Sequence, residues 1–422
     1  MRGVAIRSFE LARALARVAD VVLAAPAGGP APVLPSSVEL VSYDRERPRD
    51  LRRRISGADV VVAQPQPPVV MRWLNQSDAR LIFDLYDPEV FENLAIFAGH
   101  HSRLDALWLS LTLDRLASAF HLGHHFLCAS ETQRDLWIGA MLAERVLRID
   151  RYEADPSFRS VIAVVPFGLD GTAPRSAPGA GIRARFPAIG ESDEIVLWNG
   201  GIWSWLDPVT PIAAVAELAG ERPNVRLVFM GGGDDGPESL QAVAQKEASD
   251  RGLVNSTVFF NDQWVPYERR GSWLLEADCA VAAHGDHLET RFAFRTRLLD
   301  CFWAGLPIVT TTGDELARRV RLDDLGATAV PGDVAGFAAA IRQVLERGRA
   351  DFAPQLALIA DEFRWDRVCE PLVSFVLDPA TTPRLGPLQR ALAPRSSQRA
   401  RAFAHQAART AVALNPARRA SR

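Results

Sequence analysis

Apolar residues recur along this chain in two rhythms, and the alternation between them predicts an α/β fold. Phe9, Leu11, Ala12, Leu15 and Val18 fall at helical spacing, and Val21, Val22 and Leu23 follow as a short apolar run that reads as a strand. Further strands are expected at residues 38–42, 60–63, 81–85, 126–128 and 161–166, with a long helix at 104–119. Such valine- and isoleucine-rich runs belong to strands covered on both faces, which makes the sheet parallel and doubly wound. A sheet of this kind ordinarily opens with a strand and a tight glycine turn ahead of the first helix. Here Met1, Arg2 and Gly3 stand where that turn would end, so the first strand of the N-terminal domain is expected to be missing. A truncated or misassigned start is one account, and a domain that begins with a helix is the other.

A Gly/Pro/Ala-rich connection at residues 167–187 precedes a second cycle of the same rhythm. A strand at 195–198 runs into Asn199, Gly200 and Gly201, a helix follows at 211–219, and a strand at 225–230 runs into Gly231, Gly232 and Gly233. A helix at 240–248, a strand at 258–260, a helix near Ser272 and a strand at 279–283 lead to a polar stretch at 284–294, read as a loop. From about Arg295 a helix is predicted, because Thr296, Leu299 and Trp303 share one face, Gly305 suits a left-handed C-terminal position and Pro307 blocks continuation. The strand 308–310, a helix at 334–347 and a helix at 354–376, broken near Trp365, complete the pattern. The expected domains are a first α/β domain at 1–172, a second at 173–353, a crossing helix at 354–378 and a tail at 379–422. Two α/β halves facing one another create a cleft, and ligands of open parallel sheets bind beyond the carboxyl ends of the strands.

Composition adds limits. The 422 residues are 48% hydrophobic and 23% charged, ordinary for a soluble protein. No apolar run approaches the roughly 20 residues of a membrane span, and no signal-peptide pattern opens the chain, so a cytoplasmic location is expected. The cysteines Cys128, Cys279, Cys301 and Cys369 are isolated in apolar surroundings and read as small buried hydrophobes. His100, His101, His121, His124 and His125 lack ligand spacing with a carboxylate, and no Asp-x-Asp pair ends a strand beside a donor site, so no metal is expected. The glycine triplet at 231–233 lacks the order of a dinucleotide-binding turn. Nine arginines and no acid follow Asp378, so the tail carries +9 and the rest −12 of the net −3. Phe403, Ala407, Ala411 and Leu414 share one helical face of that tail, which suits an anionic membrane surface; disorder is the other reading, and nucleic-acid binding is not expected.

Candidate chemistry gathers at 284–300. Arg291, Arg295 and Arg297 meet a helix start there, and guanidinium forks beside backbone N–H groups suit a phosphate ligand. Solvated arginines, or arginines paired with Glu289 and Asp300, are the competing account. Asp84, Tyr86 and Asp87 end a strand of the first half, and Trp203 and Trp205 follow the first glycine turn of the second.

Four segments carry a resemblance: GVAIRSFELARAL from Gly3, the strand end Trp198 to Gly201, WVPYERRGSWLLEAD from Trp264, and DCFWAGLPIV from Asp300. In this order they resemble the nucleotide-sugar glycosyltransferases of the two-Rossmann GT-B fold, specifically family 4 (group 1), whose members are retaining. The resemblance covers roughly residues 3–376. It implies transfer of a sugar from a nucleotide diphosphate sugar, as substrate rather than cofactor, to a glycan, glycolipid or natural-product acceptor. Glu289, Arg295 and Arg297 become the catalytic candidates. Gly200, Gly201, Trp203, Trp264, Val265, His284, Arg291, Phe292, Ala293, Phe294, Thr296 and Asp300 become the donor side, and Arg7, Glu10, Tyr86 and Asp87 the acceptor side. The chain departs from the family in two ways. Of the family's two glutamates eight positions apart, the second matches Asp300 but the first falls on Phe292, with Glu289 as its nearest substitute. The arginine and lysine that hold the diphosphate fall near Gly201 and Leu206 and are absent. Either positive charge has moved to another loop or activity has been lost. The rivals are therefore a non-catalytic sugar-nucleotide or glycan-binding component of a polysaccharide assembly complex, and a sugar-nucleotide epimerase.

Overall fold

The computed structural model describes residues 3–28, 34–44, 48–98, 102–232 and 239–377; the tail, Gly233, His100 and His101 lie outside the described residues. The chain divides into two units, one holding residues up to Phe167 and from Trp365 onward, the other Gly168–Arg364. No helix among the described residues is long and apolar enough to cross a membrane.

The first unit holds strands β1 (Val21–Pro26), β2 (Val38–Tyr43), β3 (Val60–Ala63), β4 (Arg80–Asp84), β5 (His125–Cys128) and β6 (Ile162–Val164). They form two parallel sheets, β1-β2 and β3-β4-β5-β6. In the second unit, β7 (Glu194–Trp198), β8 (Val225–Phe229), β9 (Val258–Phe260), β10 (Cys279–Ala282), β11 (Ile308–Thr311) and β12 (Gly326–Ala329) make one parallel sheet in the order β12-β11-β10-β7-β8-β9. That is the doubly wound order, and its strand sequence reverses between β7 and β10. β12 starts on a glycine because a Cβ at Gly326 would stand 1.9 Å from the Ile308 carbonyl oxygen. Close approach of β11 and β12 forbids any side chain there.

The second sheet shows what the first lacks. If the two sheets of the first unit are laid out in the same order, the position of β7 is vacant, and among the described residues no strand joins β1 to β3. The flanking strands register the gap: Val22 of β1 is 43% exposed and β3, made of Val60, Val61, Val62 and Ala63, is only half-buried, whereas β5 is buried throughout. One core still runs beneath both sheets. Leu51 and Ile55 of the helix Arg49–Ser56 share it with Tyr43 of β2, Val61 of β3 and Phe83 of β4.

The opening helix Gly3–Leu15 is held by charge. Arg7 donates from Nε and Nη2 to the two carboxylate oxygens of Asp84 at 2.6 and 2.8 Å, and to the Pro166 and Val165 carbonyls at 3.0 and 2.8 Å. The side chain is 1% exposed, so these contacts exchange in no water. The closing helices differ from expectation at their start. The stretch expected at 354–376 is three helices, Arg349–Glu362, Trp365–Val368 and Glu370–Leu377, and the first begins before Pro354. The guanidinium of Arg349 decides that start: it donates to the carbonyls of Leu274, Ala277, Gly305 and Ala304, capping the carboxyl ends of two neighbouring helices.

The last helix is held from beneath the sheet. Phe375 stacks on the His125 ring at 4.3 Å, and Arg80 donates to the Phe375 and Val376 carbonyls at 3.3 and 3.0 Å. Burial holds His125 down to about 4 from its usual 6.5, against the pull of the Ser160 carbonyl. Between these two values the unfolded chain takes up a proton that the folded chain refuses, so stability is full above 6.5 and falls as pH falls toward 4. The loss is on the order of 3 kcal/mol, because each tenfold difference in proton affinity between the folded and unfolded chain is worth about 1.4 kcal/mol. Thermal melts of wild type and His125→Gln across that range are expected to converge as pH falls, the variant lacking this component of the acid slope.

Candidate active site

The reversal between β7 and β10 places the turn after β7 beside the loop after β10. Asn199 follows β7 and donates from Nδ2 to the Arg297 carbonyl at 2.9 Å, fixing the turn to the start of the helix Thr296–Ala304. Gly200 takes a φ of 102°, and a Cβ there would lie 3.7 Å from Cζ of Arg297. Arg297 in turn donates from Nη2 to the Gly201 carbonyl at 3.0 Å. Trp203 stacks on Trp205 with ring centroids 6.1 Å apart, half-buried above the same turn.

Arg297 is the unusual charge of this unit. Its Nη1 is enclosed and has no hydrogen-bond partner, and among the described residues no carboxylate pairs with it. Burial, reinforced by the neighbouring Arg295, pushes its guanidinium down to about 10. The helix it belongs to has no acidic residue in its first turn and no side-chain cap, so its positive end is also uncompensated. An anion would relieve both.

Arg295 reads the same in the sequence but stands differently in the structure. Its Nη1 and Nη2 donate to both oxygens of Glu289 at 2.9 and 2.6 Å, and both residues are buried. Arg291 is exposed and lies against the Phe292 ring. Ala293 is buried and Thr296 half-buried, while Phe294 packs on Phe363 at 6.0 Å. Asp300 is paired with Arg270 at 2.9 Å, not with Arg297, and Arg270 is sandwiched between Tyr267 and Trp303. Burial raises the Asp300 carboxyl above the usual range, against the pull of Arg270. The sequence pattern does not single out Arg270, although it lies within the segment WVPYERRGSWLLEAD that begins at Trp264.

His284 is buried, and its Nε2 lies 3.0 Å from Asp314 Oδ2. His287 accepts from the Thr290 N–H and caps a five-residue helix, Leu288–Phe292, where the sequence predicts a loop. Five residues are too few for periodicity to register. Trp264 is 62% exposed and Val265 half-buried, just after β9. In the first unit Tyr86 is buried beneath the Arg7 guanidinium, and burial drives its phenol far above the usual range. Asp87 is half-buried, and Glu10 pairs with Arg13 at 3.0 Å. Arg7 itself is committed to Asp84 and two carbonyls. Among the described residues no three His, Cys, Asp or Glu are grouped to hold a metal ion.

Residues 195–347 match the family described as "Glycosyl transferases group 1". The match lies within the second unit, and the fold of the chain is GT-B, with two Rossmann-like units. Sucrose-phosphate synthase from Thermosynechococcus elongatus superposes with a TM-score of 0.63 at 15% identity, over 89% of this chain and 92% of that one. Anabaena HepE, solved in complex with UDP and glucose, gives 0.62 at 13% identity over 89% and 96%. WaaG, a glycosyltransferase involved in lipopolysaccharide biosynthesis, gives 0.59 at 17% identity over 88% and 95%. No curated protein sequence matches the chain.

The two arginines are expected to separate in stability measurements. Glu289→Ala strands the buried Arg295 and should cost about 3 kcal/mol in urea unfolding. Arg297→Met removes one charge-assisted hydrogen bond together with an uncompensated buried charge; the two effects oppose one another, and stability should change by less than about 1 kcal/mol.

Proposed function

We propose that the chain is a glycosyltransferase whose second unit binds a nucleotide diphosphate sugar, with Arg297 receiving the diphosphate. The observation that carries this reading is the position of the Arg297 guanidinium. It rests on the Gly201 carbonyl, in the turn where the resembling family carries its own diphosphate-binding charge, and it arrives there from the helix after β10 instead. This supports relocation of the charge rather than its loss. Structural neighbours include HepE solved with UDP and with UDP-glucose, and we extend that donor class to this chain.

In the reaction the bond between the anomeric carbon and the diphosphate oxygen breaks, a bond from that carbon to an acceptor hydroxyl oxygen forms, and the hydroxyl proton leaves with the diphosphate. Positive charge grows on the sugar ring while negative charge grows on the departing diphosphate. Arg297 and the first turn of the helix Thr296–Ala304 stabilise the leaving group. Glu289, braced by Arg295, orients the donor sugar together with His284 and His287. Trp203 walls the site, and Trp264 and Val265 stand where the base is held. Transfer is retaining and metal-independent in this reading, with acceptor recognition assigned to Glu10, Tyr86 and Asp87 of the first unit. The acceptor class is a glycan, glycolipid or natural product, and the place of work is the cytoplasm, with the arginine-rich tail as a contact for an anionic membrane.

Calorimetric titration with UDP tests the site. Arg297→Ala is expected to weaken binding by about 30- to 150-fold, the worth of a charge-assisted contact of about 2–3 kcal/mol, and Arg297→Lys to recover part of it. Unchanged affinity in Arg297→Ala removes the diphosphate site. UDP binding without hydrolysis or transfer of UDP-glucose would favour a non-catalytic partner, and interconversion of the donor an epimerase.

A further inference from the structure

A second enclosed carboxylate stands beside this site and has no part in the reading above. Asp314 follows β11, and its side chain is fully buried. Oδ1 accepts from the Ala317 N–H at 2.8 Å and caps the helix Glu315–Leu322. Oδ2 lies 3.0 Å from His284 Nε2 and 4.0 Å from Nε of Arg295, which has no hydrogen-bond partner of its own. The opposite edge of the same guanidinium grips Glu289. One cation is thus bracketed by two carboxylates, while Arg297, two positions along the chain, has none among the described residues.

We propose that Asp314 is a positioning residue that holds Arg295 on Glu289 and keeps this second guanidinium off the diphosphate. The inference rests on Arg297 as the diphosphate site. A guanidinium released from one of its two carboxylates is drawn toward the stronger anion nearby. With Asp314 in place, Arg295 is balanced from both edges, Glu289 keeps its orientation, and the diphosphate meets one arginine. Without it, Arg295 shares the diphosphate. The ground state and the released nucleotide are then held more tightly and Glu289 loses its brace, which slows turnover because tighter binding of bound states does not lower the barrier.

Asp314→Asn tests this, since asparagine caps a helix as well as aspartate does. UDP is expected to bind about 3- to 10-fold tighter while turnover of UDP-glucose falls at least about 10-fold. A substitution that merely loosened the fold would weaken both. A second readout needs no donor: labelling by phenylglyoxal, mapped by peptide mass, should leave Arg295 protected in wild type and modify it in Asp314→Asn, with Arg7 protected in both as the internal mark of an intact fold. Asp314→Glu restores the carboxylate and should return protection and affinity toward wild type. Arg295 equally protected in wild type and Asp314→Asn, or weaker UDP binding in the variant, overturns the proposal. Should wild type bind no UDP, the nucleotide reading falls, and the labelling still decides whether Asp314 holds Arg295.

Discussion

A guanidinium enclosed by protein without a carboxylate is a costly arrangement, and among the described residues the second unit has one at the reversal of its sheet. Arg297 sits where the strand order of a parallel sheet reverses, at the positive end of a helix, against a turn of two glycines. Each of these features follows from the doubly wound topology rather than from the arginine. The reversal parts the loops after β7 and β10, the helix following β10 turns its N-terminus to that opening, and glycines let backbone approach side chain. The fold supplies an open helix N-terminus, and in the proposed function Arg297 adds to it a planar fork suited to a diphosphate.

The other buried arginines define the contrast. Arg7 spends its donors on Asp84 and two carbonyls, Arg295 on Glu289, and Arg349 on the carboxyl ends of two helices. Arg7 and Arg349 join segments distant in sequence, Arg295 reaches back to the neighbouring short helix, and each has acceptors that replace part of the lost water. All four are at least half-buried arginines. What separates a structural arginine from a binding one is the count of acceptors already in reach.

Among the described residues, the first unit joins two separate sheets without a shared ladder. Its two sheets are separate, yet the core beneath them is continuous, because the helix Arg49–Ser56 contributes Leu51 and Ile55 to a cluster fed by strands of both sheets. The ion pair between Arg7 and Asp84 ties the opening helix to β4. Where ladder hydrogen bonds are lacking, a buried charge pair and shared apolar contacts take over part of the joining.

The alternation of apolar rhythms places eleven of the twelve described strands, because burial on both faces of a parallel sheet leaves a signature in composition, and it misses β12, whose Gly-Ala-Thr-Ala sequence contains no valine or isoleucine. β3 and β9 fall at the residues expected of them, and Gly305 takes the left-handed conformation its neighbours require. The short helix at Leu288–Phe292 and the start at Arg349 escape that pattern, since a histidine cap and a long-range guanidinium clamp decide them. The candidate site is half legible. Its location and its charged residues are visible in the stretch from His284 to Asp300, but Arg295 and Arg297 are indistinguishable there, and Arg270 and Asp314 carry no signal. Ion pairing depends on which side chains meet in space, and the partners of these four groups come from different loops. Only the packed chain assigns Glu289 to Arg295, Asp300 to Arg270 and, among the described residues, no acid to Arg297.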